Sequence, residues 1–192
     1  MKKYLVLAIA FLSIGSLAFA APKKAKTSEG GLTPWVDKGD FIANVGIGWG
    51  GLSGGVELDL ARIDIAKVVP VTFGAAARGF VDPGLLYSWS PFTFGVGGFG
   101  TAHFGFKEIN LPDGFGWFSN VDAYAGLGVG FASATNYKPG FGISTFEGVS
   151  YYFNDNLALG FEYGYIGKVV YDEYYKWSYP LYYGSVCLTF KL

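Results

Sequence analysis

From residue 41 onward the chain keeps a two-residue period. Phe41, Ala43, Val45, Ile47 and Trp49 fall on one side of an extended backbone, with Ile42, Asn44, Gly46, Gly48 and Gly50 on the other, which is the signature of a β-strand. Val56, Leu58 and Leu60 then alternate with Glu57 and Asp59, and Val71, Phe73, Ala75 and Ala77 with Thr72, Gly74, Ala76 and Arg78. The fourth run sets Phe92, Phe94, Val96 and Phe104 against Thr93, Gly95, Phe99, Thr101 and His103. A fifth opposes Val121, Ala123, Leu127, Val129 and Phe131 to Asp122, Tyr124, Gly126, Gly128 and Gly130. Strands ending at Phe153, opening at Leu157 and closing at Leu192 bring the total to about eight and exhaust the chain.

Which face meets which solvent decides the class. A soluble sandwich would carry charge on its outer face, roughly a quarter of all residues, whereas only 15% of this chain is charged and 19% is aromatic. The major face is bulky on every strand, and the minor face is mostly Gly, Ala, Ser and Thr. Large apolar side chains toward lipid and small or polar ones toward a narrow lumen fit this pattern, and closure satisfies every backbone group in hydrocarbon. The expectation is therefore an all-β, closed antiparallel transmembrane β-barrel, an up-and-down meander of about eight strands. Residues 83–106 carry no Asp, Glu, Lys or Arg, but their bulky side chains recur at two and not at three and four, so they read as strand and not as a membrane helix.

Residues 1–20 read as a cleaved signal peptide: Lys2 and Lys3, an apolar stretch, then Ala18-Phe19-Ala20 before Ala21, against the alternative of an uncleaved anchor. Residues 21–40, with Lys, Ser, paired Gly and Pro, read as a periplasmic linker free up to about Trp35, and 41–192 as the barrel. The implied location is the bacterial outer membrane. Net charge of −1 leaves no basic footprint for nucleic acid, and one Cys excludes a disulfide scaffold or multi-Cys metal site.

The stretch GVSYYFNDNLALGFEY at 148–163 resembles the strand, short turn, strand hairpin of the small eight-stranded outer-membrane barrels of the OmpA/OmpX/OmpW-like class. That resemblance implies a periplasmic turn at 154–156 and a lumenal Glu162. It also implies outer loops at 50–55, 81–90, 133–140 and 168–180, and inner connections near 67–70, 107–118 and 154–156. Outer-membrane lipid and the assembly machinery are the implied partners; Phe190 is similar to the family's insertion signal, although the last residue is Leu192. Trp49, Tyr87, Trp89, Trp117, Tyr165 and Trp177 sit near strand ends, where interfacial girdles belong. Arg62 and Asp64 break the alternation, as does Glu147; bulges near Ala61 and near Glu147 would repair it.

Chemistry is sparse. Gly46-Ile-Gly-Trp-Gly-Gly51 matches GxGxxG by letters, but no helix follows to hold a pyrophosphate, so no cofactor is expected. No catalytic residue and no metal ligand set is assigned either. His103, the single imidazole, reads as a lumen histidine, with a lipid-modifying enzyme using it as the second alternative. Arg62 and Arg78, the only arginines, with Glu57, Asp59, Asp122 and Glu162, form a candidate lumen charge network, because the guanidinium fork can bridge two carboxylates in a confined space. Such a network either occludes and rigidifies the barrel or filters solutes, and inward Gly would leave volume for a narrow passive channel. Tyr171, Tyr174, Tyr175, Trp177 and Tyr179 in the loop 168–180 form either a contact surface for an extracellular ligand or an outer girdle. The favoured function is a non-enzymatic barrel with a structural or surface-interaction role.

Overall fold

The computed structural model describes residues 32–66, 69–84, 92–107, 115–170 and 178–192. A two-residue strand, β1 (Thr33–Pro34), precedes eight longer ones: β2 (Phe41–Gly48), β3 (Gly51–Ile65), β4 (Val69–Asp82), β5 (Thr93–Lys107), β6 (Val121–Ala134), β7 (Lys138–Asn154), β8 (Leu157–Val170) and β9 (Ser178–Lys191). A short 3-10 turn at Gly116–Asn120 leads into β6. Each strand from β2 to β8 pairs antiparallel with the next. β2 then pairs with β9, from Ile42 opposite Lys191 to Gly48 opposite Ser185, which closes the ring.

The two faces separate as the alternation requires. Outward Phe141 is 71% exposed and Val129 65%, whereas inward Glu57, Asp59, Asp122 and Glu162 are each 1% exposed. Strands β3 to β9 run 14 to 17 residues, longer than the 9–11 a tilted membrane-spanning strand needs. Exposed Trp49 and Trp117 lie near opposite ends of the barrel. Tyr87, Trp89 and Trp177 lie outside the described residues.

Several connections are tighter than expected. Gly48 faces Gly51 in register, so residues 51–55 belong to β3 and the expected loop at 50–55 is a two-residue hairpin. Gly51 takes the left-handed region at φ +80°, where a side chain would also meet the Val81 carbonyl. The expected loop at 133–140 shrinks to 135–137, with Asn136 at φ +71°, a conformation its short polar side chain tolerates. At the β7–β8 turn the Asn154 side chain accepts hydrogen bonds from the amides of Asn156 and Leu157 (2.9 and 3.0 Å), an Asx turn that fixes the hairpin. A bulge does lie between Asp59 and Ala61. From Thr145 to Tyr151 the pairing is regular, with Glu147 opposite Ala125 on one side and Tyr163 on the other, and the carboxylate stands outward; the register against β8 shifts earlier, between Gly140 and Thr145, and leaves the parity of Glu147 unchanged.

Inside, three sets of side chains follow one another along the axis. At the end that carries both described termini, residues within the expected linker are folded: Thr33 and Pro34 pair with Lys107 and Phe106, and Trp35 and Val36 are buried with Ile42, Tyr152 and Ala158. Trp35 stacks on Tyr152 (centroids 4.6 Å apart), and the Lys107 ammonium lies 4.6 Å from the Trp35 ring centroid. The Trp35 indole N–H donates to the Ser119 carbonyl (2.6 Å), and Thr72 Oγ1 donates to the Val36 carbonyl (2.6 Å). The middle of the barrel holds the polar residues described below. Beyond them Phe80, Phe99, Tyr124, Phe146, Ile166 and Tyr183 form an apolar cluster.

Those rings account for some of the inward glycines. A Cβ at Gly126 would overlap the Phe146 ring and one at Gly148 the Tyr124 ring. At these positions the space left by Gly is taken by aromatic side chains from neighbouring strands.

Candidate functional site

The middle of the lumen brings together residues from strands far apart in sequence. Arg78 on β4 is the hub: Nη2 donates to Glu57 Oε2 at 2.8 Å, Nε to Glu162 Oε2 at 3.4 Å, and Nη1 to the Val56 carbonyl at 3.2 Å. Its guanidinium carbon lies 4.8 Å from the centroid of the Phe146 ring. Glu162 on β8 also accepts from the Tyr183 hydroxyl (2.8 Å) and from Asn44 Nδ2 (3.3 Å). Glu57 on β3 accepts from the Thr101 hydroxyl. A planar fork is what lets one cation reach two carboxylates and a carbonyl at once.

His103 on β5 continues the chain of contacts. Its Nε2 lies 3.0 Å from Glu57 Oε1 and its Nδ1 2.7 Å from Asp122 Oδ2, while the ring stacks on Tyr124. Asp59, next along the inward face of β3, is buried among them, and neither of its carboxylate oxygens has a hydrogen-bond partner.

Of the residues expected in the charge network, Arg78, Glu57 and Glu162 meet directly. Asp122 joins through His103, and Asp59 lies beside the group unpaired. Arg62 does not join. It sits past the bulge at the end of the barrel, 3.2 Å from Asp37 and 2.8 Å from Asp64, because it lies further along β3, beside the segment that carries Asp37. Sequence reasoning did not include Asn44, Thr101 or Tyr183 among the site residues; the inward parity of the first two was visible, but their partners depend on register across strands.

Of the loop aromatics, Tyr171, Tyr174, Tyr175 and Trp177 lie outside the described residues. Tyr179 is on β9, its ring 5.8 Å from that of Tyr137. On the outer wall a groove of about 530 Å³ is lined by Ala102, Ala123, Ala125, Phe104, Phe161 and the Glu147 carboxylate, among others.

No family model and no curated protein matches the chain. Solved structures are similar in fold. Neisserial surface protein A shares 16% identity, covering 80% of this chain and 92% of its own, with a TM-score of 0.43. The outer membrane enzyme PagL shares 13% over 80% of this chain and 98% of its own, at 0.42. Outer membrane protein AlkL, solved in DMPC lipid bilayers, shares 12% over 89% and 92%, at 0.29. The likeness is to small outer-membrane barrels, and not specifically to OmpA, OmpX or OmpW.

Proposed function

We propose that the chain is an integral protein of the bacterial outer membrane, non-enzymatic, with a structural or surface-interaction role and a lumen occluded by its own side chains. The observation that carries this reading is the inversion of solvent preference. Among the described residues a largely apolar exterior surrounds an interior where Arg78 and four carboxylates are buried, and water outside such a wall would leave an apolar patch far larger than soluble monomers expose. Occlusion is supported by the Trp35 set at one end, the Arg78 network in the middle and the aromatic set beyond it. An enzyme acting through His103 is disfavoured, because both ring nitrogens face carboxylates inside the barrel and the ring is buried away from the bilayer.

The test is planar-bilayer conductance of the refolded chain lacking residues 1–20, on samples whose heat-modifiable gel shift certifies a closed barrel. The expected outcome is a gel shift with no discrete conductance steps. Ion-selective steps would overturn occlusion in favour of the narrow channel, and absence of both shift and insertion would overturn the membrane assignment.

A further inference from the structure

The lumen charges do not balance. Among the described residues, the four buried carboxylates Glu57, Asp59, Asp122 and Glu162 face one permanent cation, Arg78, which leaves three negative charges if all are ionised. A charged His103 reduces the excess to two; a divalent ion on a neutral His103 reduces it to one. Burying uncompensated charge in a low-dielectric interior is strongly unfavourable, so the excess has to be met by a bound cation or by protons taken up within the cluster.

The geometry says where. An Asp122 carboxylate only accepts, so the 2.7 Å contact places a proton on His103 Nδ1. In the neutral ring Nε2 is then a lone pair, and it points at Glu57 Oε1 from 3.0 Å. Two acceptors face each other. A proton on Nε2 would resolve that pair alone, while Asp59, 1% exposed and with both oxygens unpartnered, would stay unmet. Ligand atoms of Glu57, Asp59 and His103 all lie within 4.8 Å of one another. Two ligands each about 2.1 Å from a metal lie about 3.0 Å apart at a right angle and about 3.4 Å apart at the tetrahedral angle, so the 3.0 Å His103–Glu57 contact needs only a small opening, and all three ligand atoms must come within about 4.2 Å of one another to share one ion. The Asp122–His103 pair supplies the outer support that metal-bound imidazoles have, a carboxylate holding the other ring N–H and fixing the tautomer.

We propose that the lumen holds a divalent transition-metal site formed by His103 Nε2, Glu57 and Asp59, with Asp122 as a positioning residue. One imidazole with carboxylate oxygens suits a first-row ion such as Zn²⁺; Ca²⁺, which takes six to eight oxygens, fits less well. The inference builds on the same lumen as the occluded-barrel reading but does not depend on whether the barrel conducts.

The experiment refolds the tag-free mature chain with and without Zn²⁺, removes unbound metal by gel filtration, and measures zinc per protein beside the heat-modifiable shift. Because the chain has a single His, its ¹⁵N-imidazole spectrum reports this ring alone. The expected result is one zinc per folded barrel and a His103 Nε2 resonance that moves on loading. Asp59→Gln and Asp59→Asn should lower affinity at least tenfold with the shift retained, and Glu147→Gln, on the outer wall, should bind as the parent does. His103→Gln should abolish uptake; if that variant does not fold, Asp59→Asn, nearly isosteric, decides. No zinc on a folded barrel, uptake unchanged in Asp59→Asn, or an imidazolium spectrum that zinc leaves untouched would each overturn the site. Because the gel shift and conductance are read on the same samples, such a failure stays distinct from failure of the barrel assignment.

Discussion

Arg78 is where one side chain decides most. Its guanidinium separates Glu57 from Glu162, and removing it leaves two buried carboxylates with no cation between them. Arg78→Ala should lower stability by about 3–5 kcal/mol, the range for breaking a buried pair by deleting one partner, measured by urea unfolding in lipid vesicles. Arg78→Lys should fall between, since it keeps the charge and loses the fork; an unchanged midpoint in Arg78→Ala would refute a structural network. Glu147 presents the opposite case. It stands on the outer wall among apolar neighbours, so on the membrane reading Glu147→Gln should raise the midpoint by less than about 2 kcal/mol, and a lowered midpoint would mean that the carboxylate has a favourable partner in the bilayer. Sequence parity placed Glu57, Asp59, Arg78, His103, Asp122 and Glu162 inward, because a period of two assigns a face without knowing any neighbour. It could not pair them. Asp122 reaches His103 because Gly105 sits opposite Asp122 and Tyr124 opposite His103, information that resides in the register. Glu147 was misread for a related reason: its parity was right, and only the assumption that no carboxylate faces lipid suggested a bulge.

At the scale of elements, strands with bulky residues on one parity were legible, β6 most plainly. The ends of β3, β6 and β7 were not. Gly51, Ser53, Gly54 and Gly55 have no large side chains to alternate, so a tight hairpin and a loop look alike in that stretch. The segment 32–40 was equally hidden, since Trp35 and Val36 are buried by tertiary contacts with β7 and β8 and not by any local period. The β7–β8 turn offers a test of such docking. Asp155 pairs with Lys107 on β5, and this contact, chiefly the hydrogen bond, holds its carboxyl below the ordinary value. A carboxyl depressed in the folded state adds stability above its unfolded value near 3.9, and that increment is lost as pH falls through the lowered folded value. Asp155→Asn should therefore be less stable than the parent at pH 7, by no more than about 1 kcal/mol for so exposed a pair. The difference should vanish in strong acid, as read from unfolding midpoints across pH. A gap that persists at low pH would assign the effect to turn geometry instead.

For the molecule as a whole, the interior sets act in series along one axis. Loss of the Trp35 set alone would leave the Arg78 and aromatic sets in place, so on the occluded reading a chain shortened to begin at residue 37 should still show no conductance steps in the bilayer assay. Steps from that chain would locate the obstruction at the N-terminal segment and nowhere else. The ring itself is uneven. β2 has 8 residues against 14 in its partner β9, and they pair only from Ile42–Lys191 to Gly48–Ser185. Every other junction joins strands adjacent in sequence. The β2–β9 seam alone brings together residues nearly the full length of the barrel apart, so it carries the largest loop-closure entropy, and its run of paired residues is the shortest in the ring. On loop-closure grounds the local hairpins β3 to β8 are expected to form before this seam. Across that join the Leu192 amide donates to the Phe41 carbonyl, and beside it the Lys191 ammonium donates to the Trp35 carbonyl, so the seam works as a clasp between the first and last strands of the ring.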